Sequence, residues 1–112
     1  MTSKSSTITD VAADDGALLD PIPPGEILLE EFMKPLGVSQ NRLARDMDVP
    51  VSRVAGIVKA ERAVTADTAL RLARFFGTTP ELWLGLQASY DLRLARAATG
   101  DEIEKRVRPL AA

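Results

Sequence analysis

RLARDMDVPVSRVAGIV, Arg42 to Val58, carries two apolar-periodic segments separated by Asp48, Val49 and Pro50. At about 100° per residue Leu43, Ala44 and Met47 share one face of a helix predicted over Gln40–Met47, while Asn41, Arg42 and Arg45 point away from it. Ser39 precedes this helix and suits an N-cap. After Pro50 a second helix is expected to about Lys59, with Val54, Ile57 and Val58 inward and Ser52, Arg53, Gly56 and Lys59 outward. Two short helices with so tight a turn between them, and a small residue, Ala44, in the first, make a helix-turn-helix arrangement. Its second helix turns a short-chained, basic side outward.

The flanking sequence supplies more helices and no convincing strand. PIPPGEILLEEFMKPLG places prolines ahead of Ile27, Leu28 and Phe32 at helical spacing, so a first helix is expected from about Pro24 to Lys34. Thr65 caps a fourth helix that Gly77 ends. In it Ala69, Leu70, Leu72, Ala73, Phe75 and Phe76 cover most of the circumference, Asp67, Arg71 and Arg74 leaving a narrow wet stripe. Thr79 and Pro80 open a fifth helix, expected to run until Thr99 and Gly100 break it. One stripe of this helix carries Leu82, Trp83, Leu86, Tyr90 and Leu94, and the other Leu84, Ala88, Leu92 and Ala95. A helix apolar on both sides needs cover on both sides, one from the core and one from a partner. The fold class expected is therefore all-α, with five helices. An acidic, disordered head over residues 1–20 precedes a domain over 21–98, and a tail over 99–112 is read as a short helix around Ile103 and Val107.

Composition narrows the chemistry. The 112 residues suit one domain, and an apolar fraction of 46% is enough for one core. With neither cysteine nor histidine, thiolate metal sites and the commonest general base are missing. The carboxylates Glu30, Glu31, Asp101, Glu102 and Glu104 lack the partner groups of an active site, so no enzyme, metal or cofactor is expected. No apolar run approaches the roughly 18 to 20 residues of a membrane helix, and a cytoplasmic location is expected. A net charge of -2 argues weakly against nucleic acid. The average hides a division, however: residues 1–20 hold one lysine against four aspartates, and residues 39–74 hold seven bases against four acids.

PPGEILLEEFMKPLGVSQNRLARDMDVPVSRV and TADTALRLARFFGTTPELWLGLQ resemble the lambda-repressor-like (Cro and XRE) family, and more narrowly its HigA-type antitoxins. The resemblance covers about residues 22 to 95, departing at Asp48, where glycine is usual, and at Pro23, where histidine is frequent. It implies a DNA-binding protein that represses its own operon as a homodimer on a palindromic operator and neutralises a HigB-type toxin. By position it places Val51, Ser52, Arg53, Ala55, Gly56 and Lys59 over base edges or flanking phosphates: Gly56 permits close approach, and Arg53 forks onto guanine. Gln40, Asn41, Lys59 and Arg62 are expected on phosphates. The toxin site falls either to the acidic head or to Glu26, Glu30 and Glu31. Two other readings stay open, a stand-alone XRE-type regulator without a toxin and a helical interaction module that has lost DNA binding.

Overall fold

The computed structural model describes residues 20–111, and the expectation of a disordered head falls almost wholly outside them. Among the described residues Ile22–Tyr90 forms one compact unit and the residues from Asp91 onward belong to a second. All regular structure among them is helical.

Helix α1 occupies residues 24–36 and changes pitch twice, with α-helical turns at Pro24–Ile27 and Lys34–Leu36 and a π-helical stretch at Leu28–Met33 between them. Pro24 stands at its first position, where a missing N–H costs nothing. The wider pitch has a cause in Pro35, which cannot donate a hydrogen bond and whose ring would meet the carbonyl four residues back. Just ahead of it the N–H of Lys34 reaches five residues back to Leu29, so the turn widens and the helix runs past the expected end at Lys34. Gly37, left-handed at φ 66°, stops it.

Helices α2 (Gln40–Met47) and α3 (Val51–Val58) fall where the sequence places them. Ser39 Oγ accepts from the N–H of Arg42 at 3.1 Å. At the other end of α2 Asp48 takes the left-handed conformation usual for glycine, φ 58° and ψ 50°. The N–H of Val49 then bonds to the carbonyl of Ala44 at 3.0 Å, closing the helix end. Helix α4 (Ala66–Phe76) starts at Thr65, whose Oγ1 accepts from the N–H of Thr68, and stops at Gly77, φ 76°. Its circumference is less apolar than expected, because Leu70 stands 60% exposed beside the charged stripe while Thr68 is buried.

Helix α5 (Pro80–Arg106) does not break at Thr99–Gly100 and absorbs most of the separate C-terminal helix expected there. One mid-helix glycine costs only about 1 kcal/mol. Thr99 Oγ1 donates back to the carbonyl of Ala95 at 3.1 Å, and Arg106 pairs with Glu102 one turn below at 2.8 Å. Of the first stripe, Trp83 is buried and Leu86 and Tyr90 are half-buried, whereas Leu82 and Leu94 are exposed. Leu84, Ala88, Leu92 and Ala95, the second stripe, are all exposed.

Four helices of the 22–90 unit and the start of α5 converge on Trp83, which is 0% exposed. Its ring lies 4.9 Å from Phe32, and Phe32 lies 5.2 Å from Phe76. Its indole N–H donates to Thr78 Oγ1 at 2.8 Å, so the polar atom is satisfied inside the core. Leu28, Leu43, Val54 and Leu72 each bring one helix into the same core.

The closest approach in this packing involves no side chain at one partner. Gly25, buried in the first turn of α1, lies against the backbone at the end of α3. A Cβ there would overlap the carbonyl oxygen of Ile57 and stand 2.8 Å from Val58 Cα. Backbone atoms of a packed helix cannot yield as a side-chain tip does. Gly25→Ala is expected to lower the free energy of unfolding by on the order of 3 kcal/mol, the upper end of ordinary overpacking, in urea titration followed by circular dichroism. An unchanged midpoint would show that α1 and α3 are not held at this distance.

Candidate nucleic-acid interface

Helix α3 is covered from behind and open in front. Val54 and Ile57 are buried, whereas Val51 is 46% exposed and Ser52 and Lys59 are exposed. Ala55 and Gly56 are half-buried on the same outward side. The residues predicted to meet base edges therefore share one face, with Arg53 as the exception. Asn41 is exposed and Gln40 half-buried at the start of α2, an end where backbone N–H groups favour anions.

Arg53 is not free on that face. Its Nη1 donates to Asp67 Oδ2 at 3.0 Å, and its side chain is 30% exposed. The same oxygen accepts from Arg71 Nε at 2.9 Å. Arg71 Nη1 goes on to donate to the carbonyls of Met47 at 2.8 Å and Asp48 at 3.3 Å. One carboxylate thus links the side of α3 to an arginine that caps the end of α2 and braces the left-handed turn at Asp48. The sequence reading gave Arg71 only a solvated face. The i, i+4 spacing of Asp67 and Arg71 was visible, but the reach to Met47 spans 24 residues and no local pattern marks it.

The two arginines of α2 itself do little of this kind. Arg42 and Arg45 both approach Asp46, at 3.5 and 3.4 Å, in exposed positions where an ion pair contributes roughly 0 to 1 kcal/mol. Gly56 differs from its expected role. Its open side is occupied by the protein's own Arg62, whose Cβ lies 3.2 Å from where a Gly56 Cβ would stand. No group of three or more metal-ligating side chains occurs among the described residues, and no helix there is long and apolar enough to cross a membrane.

Comparison with known proteins gives this surface a context. A helix-turn-helix family model matches residues 29–83. Virulence-associated protein I of Dichelobacter nodosus is 51% identical over 74 residues, which cover 66% of this chain and 68% of that protein. Matched segments span 64% to 68% of the length of the first curated relatives. A HigA-family addiction module antidote protein from Coxiella burnetii superposes with a TM-score of 0.77 at 52% identity, covering 81% of this chain and 99% of that one. The Pseudomonas aeruginosa antitoxin HigA, solved with the higBA promoter, superposes with a TM-score of 0.78 at 43% identity, covering 80% of this chain and 98% of that one.

The shared carboxylate makes a prediction about acid. The hydrogen bond from Arg71, its charge and the Arg53 guanidinium hold the Asp67 carboxyl below its ordinary value of 3.8. The unfolded chain then takes up its proton first, so the clamp's stabilisation is complete at neutral pH and disappears as pH falls from about that value through the lowered one. In denaturant titrations Asp67→Asn is expected to remove this acid-side loss, giving a flatter stability curve below pH 4, with a lower plateau above it. Parallel curves for the two proteins would show that the clamp contributes nothing.

Proposed function

Because the chain belongs to the helix-turn-helix family of HigA-type antitoxins, whose members are DNA-binding regulators and not enzymes, we propose that it binds operator DNA and represses its own operon. The observation that carries this reading is the outward face of α3, where Val51, Ser52, Ala55 and Lys59 stand on one side with the core behind them. Small side chains let the helix seat deeply in a major groove, Val51 and Ala55 meet thymine methyls, and Ser52 donates or accepts. Gln40 and Asn41 at the start of α2, with Lys59, hold the flanking phosphates. Arg53, anchored to Asp67, has further N–H donors for the duplex.

A second copy completes the reader. One eight-residue helix contacts too few bases, and two copies related by a dyad place their α3 helices about 34 Å apart, one turn of duplex. The exposed Leu84, Ala88, Leu92 and Ala95 of α5 are the surface proposed for that pairing, Leu92 being 51% exposed. The working domain is residues 21–98, and the site of action is the cytoplasm. The protein's second partner is a HigB-type toxin, met through the acidic head or through Glu26, Glu30 and Glu31, all exposed on α1.

Two measurements test these readings. Lys59→Glu is expected to weaken retardation of the duplex immediately upstream of the gene at least tenfold and to reduce the salt dependence of binding, while sedimentation still finds the dimer. Unaltered retardation would refute the assigned face. Where a small basic protein of toxin size is encoded beside the gene, co-expression of this chain is expected to restore the growth that protein arrests, and deletion of residues 1–20 to abolish that rescue if the head is the toxin site. Full rescue by the truncated chain would move the site to α1.

A further inference from the structure

Resting on the DNA-binding reading, we infer that Arg62, beyond the end of α3, reads a guanine edge in the major groove, with Gly56 as the seat that aims it. The chain reverses directly after α3 through Ala60, left-handed at φ 63°. The carbonyl of Gly56 then accepts two N–H groups, from Glu61 at 2.8 Å and from Arg62 at 3.1 Å. These two bonds pin the start of Arg62 over the last turn of the helix. Arg62 is exposed, yet its stem stays against the helix. Its Cβ, Cδ and Nε lie 3.2, 3.8 and 4.0 Å from the position a Gly56 Cβ would take, so the stem runs along the helix in the lane left by the missing side chain.

Gly56 sits one turn after Ser52 and one turn before Lys59, on the open side of α3. Arg62, expected only on a phosphate beyond the recognition helix, thereby joins the open face of α3 itself. Among the described residues no carboxylate pairs with it, whereas Arg53, the arginine within α3, gives Nη1 to Asp67. Arg62 therefore brings an unengaged guanidinium to this face. A planar fork with parallel N–H donors matches the O6 and N7 acceptors of guanine, which an ammonium group cannot satisfy in the same way. Anchoring the stem in advance lowers the entropy lost on contact.

Selection from a randomised duplex library by the full-length protein, followed by sequencing, separates this role from a phosphate contact. The wild type is expected to enrich a dyad with guanine at one fixed position per half-site. Arg62→Ala is expected to lose that preference by on the order of 10- to 100-fold and to keep the others, and Arg62→Lys, which retains donors for the same acceptors without the planar fork, to lose less of it. Gly56→Ala, which crowds the Arg62 stem, is expected to blur the same position. A retained guanine preference in Arg62→Ala, or a uniform loss on all sequences with a smaller salt slope in that variant, would overturn the inference and leave at most a phosphate contact. Enrichment of no sequence by the wild type would instead overturn the DNA-binding reading, and this inference with it.

Discussion

The contact between Gly25 and the backbone of Ile57 and Val58 sets how far α3 can sink into the protein. At that point α1 meets α3 with no side chain on the α1 partner, so the distance is fixed by hard atoms and not by an adjustable filling. Val54 and Ile57 then enter the core from the inner face, and the outer face is left proud of its neighbours. A bulkier residue at position 25 would push out the end of α3 that carries Lys59 and the turn to Arg62. Placement of α3 thus begins at a buried residue on another helix.

Electrostatics complete what packing starts. The protein carries a net charge of -2, yet two of the acids around α2 and α3 are engaged by neighbouring arginines: Asp46 by Arg42 and Arg45, Asp67 by Arg53 and Arg71. Exposed pairs of this kind add little to stability compared with a buried tryptophan. Their value lies in direction, because a guanidinium tied at one edge has fewer orientations left. Arg71 shows this most clearly, since it spends one N–H on Asp67 and turns another to the carbonyls that end α2.

Local signals were legible because they act locally. Ser39, Thr65 and Gly77 cap or end helices in the structure as their chemistry predicts, and Pro50 opens α3. Asp48 adopts the left-handed turn in place of glycine. Thr99 and Gly100 misled, because so short an interruption does not stop a helix already propagating through Ala95, Ala97 and Ala98. Leu70 looked like core from its period, and only the tertiary packing leaves it outside. The tie between Arg53 and Asp67 and the seat of Arg62 on Gly56 depend on how separate turns meet, for which the sequence holds no marker. The residue types on the outer face of α3 were readable, whereas the orientation of its arginines was not.

The aromatic cluster around Trp83 gives the molecule an internal optical reporter. The chain has a single tryptophan, wholly enclosed, with its N–H bonded to Thr78 and its ring against Phe32. Its fluorescence emission therefore arises from one environment, blue-shifted while the helices stay together and moving to the red when water enters. The light it emits follows the integrity of the interior and owes little to events on the solvent side of α3.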